Sequence, residues 1–175
     1  MRRLSSQIVT FSLLLASIAA WQSPLWAAPT QITTDPAFDY APDWSPDGTQ
    51  IAFTSARSGN WDVWMILTTG GIAAQLTDDP AGDYFPAWSP DGSQIAFDSD
   101  RSGNEDIWVI PAAGGMATQI TTDPSDDVKA AWSPDGSQIA FGSDRSGNED
   151  IWLICVGWPS AAEATSWGRI KSMFR

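Results

Sequence analysis

The chain has 175 residues, a formal net charge of −12 at pH 7, one cysteine and no histidine. The lack of histidine excludes Ser-His-Asp and Cys-His catalysis as well as histidine-based metal sites, and a single cysteine excludes an internal disulfide. Such an acidic chain disfavours nucleic acid and anionic membranes, and it favours a basic partner or cations.

Residues 1–27 are predicted to be a secretory signal peptide. Arg2 and Arg3 precede an apolar run from Ile8 to Ala20, and Leu25-Trp26-Ala27 offers an imperfect cleavage site. About thirteen apolar residues are too few to cross a bilayer core of ~30 Å, although a short membrane anchor is the alternative interpretation. The mature protein is therefore expected to be periplasmic or secreted.

A ten-residue segment recurs three times at intervals of 44 residues. It runs from Trp44 to Phe53, from Trp88 to Phe97 and from Trp132 to Phe141. A period in this range indicates stacked supersecondary units rather than one ordinary core. The structural motif positions shared by the three copies are Trp44, Pro46, Asp47, Gly48, Trp88, Pro90, Asp91, Gly92, Trp132, Pro134, Asp135 and Gly136. The fixed register of the three tryptophans in the predicted strands indicates that they lie in the core.

Each unit is predicted to contain four antiparallel strands. In the second unit, the turn Ser89-Pro90-Asp91-Gly92 follows the first strand, and residues 94–97 alternate between polar and apolar. Residues 107–110 are apolar throughout, which indicates a strand covered on both faces, and residues 118–121 form a short outer strand. The predicted fold is therefore all-β, a partial β-propeller of three four-stranded blades over residues 31–154.

The ends of the repeat region are irregular. Residues 31–34 match the outer strands of the later units, whereas the third unit stops after its third strand at Ile154. Residues 155–175 have a different, basic composition and no repeat character. They are predicted to be a separate tail, either native or the product of a disrupted reading frame.

The segments Trp-Ser-Pro-Asp-Gly, Gln-Ile-Ala-Phe and Ser-Asp-Arg-Ser-Gly-Asn-Glu-Asp-Ile-Trp resemble the propeller repeats of the TolB-like family. Similar repeats occur in the propeller domains of prolyl-oligopeptidase-like peptidases and of some lyases. The resemblance implies a periplasmic protein that binds other proteins through a six-bladed propeller, as in the Tol–Pal envelope system. This chain departs from that pattern in having three repeats and no preceding α/β domain.

Carboxylates are the only plentiful reactive groups, but they recur in every unit. An active site is normally one asymmetric cluster, and aspartate beside proline or glycine shapes turns through its own hydrogen bonds. No catalytic residue, metal site or cofactor is therefore predicted, and Cys155 is expected to be an incidental thiol.

A partner-binding surface is predicted on the face that carries the connections between blades and the loops between second and third strands. We refer to it as the loop face. Trp61 stands there where the other units have Glu105 and Glu149, and tyrosines stand near the start of two first strands. The predicted contacts combine acidic and aromatic side chains. They are Asp39, Tyr40, Trp61, Asp83, Tyr84 and Asp127.

The expected function is a non-catalytic protein-interaction module, with an envelope protein as the partner that the resemblance implies. Three blades would leave apolar sheet faces bare at both ends, so two copies are expected to pair as a homodimer of six blades. The alternatives are a remnant of an exported hydrolase or lyase, or a truncated fragment without function.

Overall fold

The computed structural model describes residues 28–157, and every regular element in that range is a β-strand. The chain divides into two compact units, Met1–Gln31 and Ile32–Arg175, and all the strands lie in the second unit. The predicted signal peptide and the part of the predicted tail from residue 158 onwards lie outside the described residues. Within the described range, no helix could span a membrane.

The strands form three antiparallel sheets, one for each 44-residue unit. Blade one contains β1 (Asp39–Trp44), β2 (Gln50–Ser55), β3 (Asp62–Leu67) and β4 (Ala74–Gln75). Blade two contains β5 (Asp83–Trp88), β6 (Gln94–Ser99), β7 (Asp106–Pro111) and β8 (Thr118–Gln119). Blade three contains β9 (Asp127–Trp132), β10 (Gln138–Ser143) and β11 (Asp150–Cys155), with no fourth strand among the described residues. The predicted all-β partial propeller is confirmed.

Side-chain hydrogen bonds close the turn of each repeated motif. In blade two, Gly92 has a φ of 72° and its amide donates to the Ser89 carbonyl at 2.9 Å. The Asp91 carboxylate accepts from the Ser89 hydroxyl at 2.6 Å and from the Ser93 amide at 3.0 Å. In blade three the equivalent bonds, led by the Ser133 hydroxyl, hold the pKa of Asp135 at about 2. These aspartates therefore serve the turns.

Alternation along the strands gives each blade two apolar faces. In blade two the face that we call the motif face carries Trp88, Ile95 and Phe97, and the opposite, back face carries Ala96 and Ile107. The motif face of each later blade packs on the back face of the blade before it. The motif turns also stack, because a Cβ at Gly92 would lie 3.2 Å from the Pro46 side chain and one at Gly136 would lie 3.3 Å from Pro90.

Within residues 28–157, the two outermost faces have no neighbouring blade. The motif tryptophans were expected in the core, and Trp88 is only 8% exposed, but Trp44 is 58% exposed on the motif face of blade one. On the back face of blade three, Ile151 is 78% exposed and Leu153 is 64% exposed. The core expectation was wrong for Trp44 because the burial of this position depends on a preceding blade.

The first strand of each blade (β1, β5 and β9) carries a bulge at the same repeat position. Ala41, Phe85 and Lys129 have φ values of 51°, 50° and 58°, in the left-handed region that side chains rarely adopt. The amide of Phe85 donates to the Thr54 hydroxyl of the blade before it at 3.2 Å. The amide of Lys129 donates to the Asp98 carboxylate at 2.8 Å. A side chain of each preceding blade therefore holds the bulge of the next.

Candidate functional site

An arginine lies between two aromatic rings in every blade. The Arg101 guanidinium carbon lies 5.3 Å from the centre of the Phe97 ring and 4.8 Å from that of Trp108. Its Nη2 atom donates to Asp83 at 2.6 Å, and its Nε atom donates to Ser99 at 2.9 Å. Blades one and three repeat this arrangement around Arg57 and Arg145.

The predicted partner contacts Asp39, Asp83 and Asp127 are the carboxylates of these ion pairs. The side chains of Asp83 and Asp127 are fully buried, and that of Asp39 is 13% exposed. Burial alone raises the pKa of Asp39, but hydrogen bonds from Ser55 and Arg57 outweigh it, so this pKa is lowered. The structure thus places these three aspartates beneath the loop face, where each one neutralises an arginine.

Four aromatic side chains form a cluster where blades one and two meet on the loop face. The ring centres of Tyr40 and Trp61 lie 5.2 Å apart, edge to face, and those of Tyr40 and Phe85 lie 5.8 Å apart. Trp61 and Tyr84 are 6.4 Å apart in a tilted arrangement. We call Tyr40, Trp61, Tyr84 and Phe85 the aromatic cluster. It unites the three aromatic residues that the sequence predicted as partner contacts.

Carboxylates surround the aromatic cluster. Burial and the nearby Tyr84, Asp98 and Glu105 raise the pKa of Tyr40 to about 12. Burial and the negative charge of Asp100 raise the pKa of Tyr84 as well. The phenols of Tyr40 and Tyr84 therefore stay neutral at physiological pH, and negatively charged carboxylates lie near them. Such a surface favours a cation held against aromatic rings.

Phe85 is the member of the cluster that sequence reasoning missed. It is 37% exposed and sits at the bulge, where the other blades have alanine and lysine. Divergence between the repeats is the sequence signal that distinguishes Phe85, as it distinguishes Trp61. The amide of Gly82 bonds to Asp100 at 3.1 Å, and a Cβ at Gly82 would lie within 2.6 Å of the Tyr84 ring. Glycine at this position therefore allows Tyr84 to fold back over the connection between the blades.

Asp98 is a buried carboxylate in the joint between blades two and three. Both of its oxygens accept from the Lys129 amide, at 2.9 and 2.8 Å. Burial, which dominates, and the charge of Glu105 raise the pKa of Asp98 to about 7, although the Lys129 amide opposes this shift. Because the raised pKa lies above the ordinary value of 3.8, the native state binds a proton more tightly than the unfolded chain does.

We expect Asp98→Asn to change how stability depends on pH. The contribution of Asp98 is fully present below about pH 4 and is lost as pH rises through about 7. The variant should lack this loss and should exceed the parent at pH 8 by roughly 2–4 kcal/mol, since asparagine keeps one acceptor for the Lys129 amide. Urea unfolding at half-unit pH steps measures the difference, and parallel curves for the two proteins would contradict it.

Asp135→Asn is the opposite case and serves as the control for that experiment. Its pKa of about 2 is lowered, so its contribution is present near neutral pH and is lost as pH falls through 2. This variant should be less stable than the parent at pH 7 and should converge on it in acid.

Three further acidic residues of the loop face serve as turn residues. Asp35, Asp79 and Asp123 each accept a hydrogen bond from the amide two residues later, at 2.9, 2.9 and 3.0 Å. Within residues 28–157, no three acidic or cysteine side chains converge as a metal site would require. This face presents negative charge and aromatic surface.

A family model described as the tricorn protease N-terminal β-propeller domain matches residues 62–156. No curated protein matches the chain. The putative TolB from Agrobacterium tumefaciens is 26% identical with a TM-score of 0.62, over 69% of this chain and 46% of that one. TolB from Acinetobacter baumannii is 25% identical with a TM-score of 0.65, over 72% of this chain and 32% of that one.

Oligogalacturonate lyase from Vibrio parahaemolyticus is 15% identical with a TM-score of 0.53, over 69% of this chain and 36% of that one. At this identity the similarity to the lyase shows a shared fold and nothing about activity. The chain spans less than half the length of either TolB structure.

Proposed function

Because the chain belongs to the family of tricorn protease N-terminal β-propeller domains, we propose that it is a non-catalytic module that binds a protein partner through its loop face. The observation that carries this proposal is the aromatic cluster, in which four rings from two blades pack beside a group of carboxylates. A partly exposed aromatic anchor with carboxylates around it is typical of an interaction surface for a basic segment.

The non-catalytic assignment has two supports. The whole chain has no histidine, which removes the commonest general base. Six carboxylates that recur at the same positions in all three units already have structural partners: Asp39, Asp83 and Asp127 neutralise arginines, and Asp47, Asp91 and Asp135 close the turns. A catalytic acid or base needs a proton-transfer path to substrate, and residues committed to these bonds offer none.

The partner that suits this surface is a protein with an exposed lysine or arginine segment. The guanidinium or ammonium group would stack on Trp61 or Tyr84, while Glu105 and Asp100 balance its charge. We further propose an envelope protein as this partner and export as the route to it. The sequence of residues 1–27 and the similarity to the two TolB structures support that extension.

Trp61→Ala should weaken binding of a basic probe about 30-fold, as expected when an aromatic anchor is removed. The probe is a fluorescein-labelled peptide that alternates lysine, arginine and glycine, and fluorescence anisotropy follows its binding. Met116→Ser removes an exposed apolar side chain in a turn of blade two and is the control, which should bind as the parent does.

Two results would contradict the proposal. One is equal affinity of the parent and Trp61→Ala for the basic probe. The other is equal affinity of the parent for that probe and for a glutamate-containing peptide of the same length, because charge complementarity would then be irrelevant.

We also propose that two copies pair into a homodimer. The internal joints of the chain support it, since each one packs a motif face on a back face. Among residues 28–157, one face of each kind is exposed: the motif face of blade one, with Trp44, and the back face of blade three, with Ile151 and Leu153. Two copies would join these faces twice around a twofold axis and would supply six blades. Light scattering of the purified protein measures the expected mass of two chains.

A further inference from the structure

The fourth strand of a blade is held by side chains as well as by backbone pairing. In blade one, the Gln75 amide group donates to Asp62 at 3.0 Å, and the Thr77 hydroxyl accepts from the Val63 amide at 2.9 Å. In blade two, Gln119 donates to Asp106 at 2.9 Å and Thr121 accepts from Ile107 at 2.9 Å. A Gln-x-Thr segment thus recognises the start of the third strand.

Blade three presents the same recognition groups, and no Gln-x-Thr segment follows β11 in the described residues; the positions 44 residues after Gln119 and Thr121 are Glu163 and Thr165, which lie outside that range. Asp150 corresponds to Asp62 and Asp106, and a serine hydroxyl four residues earlier donates to it as in the other blades. Asp62 and Asp106 are buried, whereas Asp150 and the adjoining Ile151 are exposed. The outer edge of β11 pairs with no strand among the described residues.

Residues 30–34 contain the sequence that this edge requires. Gln31 lies 44 residues before Gln75, and Thr33 lies 44 residues before Thr77. Between them, Ile32 packs on the buried residues of the blade-one motif face, Ile51, Phe53 and Ile66. Leu76 packs in the same way on the motif face of blade two. Ile32 therefore occupies on blade one the place that the outer strand of a preceding blade would take.

We propose that residues 30–34 of one copy form the fourth strand of blade three in a second copy. The inference rests on the proposed homodimer and adds the element that each copy lends to the other. Gln31 of the second copy donates to Asp150, and the Thr33 hydroxyl of the second copy accepts from the Ile151 amide. Each blade three then becomes four-stranded, and the exposed edge of β11 is covered.

The register of the internal blades predicts which residues face each other. Met65 pairs with Ala74 in blade one, and Val109 pairs with Thr118 in blade two. The equivalent pair is Leu153 with Thr30 of the second copy. Opposed Cα atoms in an antiparallel pair are about 4.5–5.5 Å apart, which suits a disulfide.

The experiment mixes two full-length proteins, both carrying Cys155→Ser so that the native thiol is absent. One protein carries Leu153→Cys and the other carries Thr30→Cys. Mild oxidation should convert most of the mixture into a covalent pair on a non-reducing gel. Thr34→Cys, four residues along the same segment and therefore about 13 Å away, is the mismatched control and should react at least tenfold more slowly.

A second arm places Leu153→Cys and Thr30→Cys in one chain. This protein should form a covalent dimer with two disulfides. A cross-linked monomer would show that the chain completes its own edge, and that result would overturn the proposal. Equal reaction of Thr30→Cys and Thr34→Cys, or no cross-link while circular dichroism shows a folded β protein, would overturn it as well.

Light scattering of the unmodified chain separates this proposal from the one on which it rests. If the unmodified chain has the mass of a dimer but the cysteine variants form no Leu153–Thr30 cross-link, the result supports the homodimer and contradicts the exchange of residues 30–34. A monomer removes both proposals. Neither outcome affects the peptide-binding test of the loop face, which does not depend on pairing.

Discussion

Trp88→Ala should lower the free energy of unfolding by about 3–5 kcal/mol, the range for removing a large buried aromatic side chain. Trp88 is 8% exposed and packs with Ala52 and Val63 of blade one and with Ile95 and Phe97 of its own blade. Its loss would leave a cavity in the joint between two blades, where strand pairing limits how far the walls can collapse. Urea unfolding followed by circular dichroism at low protein concentration measures the change.

Trp44→Ala is the matched control, because it changes the same motif position in blade one. Trp44 is 58% exposed, so its truncation should cost under about 1 kcal/mol when the protein is dilute. In the homodimer that we propose, Trp44 becomes an interface residue, and the same change should then weaken association. Equal losses for the two variants in dilute solution would contradict the exposure of the outermost motif face.

Arg101→Ala should also cost about 3–5 kcal/mol, since it leaves Asp83 fully buried without its cation. The variant loses in addition the contacts of the guanidinium with the rings of Phe97 and Trp108. Denaturant unfolding measures this loss, and the same measurement on Arg101→Met, Asp83→Leu and the combination Arg101→Met/Asp83→Leu gives the coupling between the two charges.

The double variant should recover most of the stability that Arg101→Ala loses, because an apolar pair of similar volume removes the buried charge. A double variant that is no more stable than Arg101→Ala would show that ring stacking, rather than ion pairing, is the main role of this arginine.

Local patterns in the sequence were sufficient to predict the blades. The turn at Ser89-Pro90-Asp91-Gly92 depends on residues within hydrogen-bonding reach of one another, and the opposite orientation of Ala96 and Ile95 follows from the pleat of one strand. Both features are independent of the neighbouring blade. The prediction of the strand arrangement therefore agrees with the structure throughout the first two units.

Features that depend on distant residues were not predictable in the same way. Asp83 appeared to be a surface acid, because its partner Arg101 is 18 residues away on the next loop of the blade. Trp44 appeared to be a core residue, because its two counterparts are covered by a blade that precedes them. The meeting of Tyr40 with Phe85 depends on the bulges and on the angle between two blades. The 44-residue period of the sequence does not predict the bulges or the angle between the blades.

The joint between neighbouring blades limits how such a chain can change in length, because a motif face always packs on a back face. Every joint unites the same two kinds of face, and the motif turns meet through the same proline and glycine at each step. Gain or loss of one whole 44-residue unit by recombination between copies leaves each remaining joint with a matching surface. An insertion of any other length within a strand displaces that strand from its register, whereas an insertion in a loop leaves the joints unchanged. Changes in the number of strands that preserve these joints are therefore limited to whole blades, because the repeat unit of the sequence is also the unit that packs.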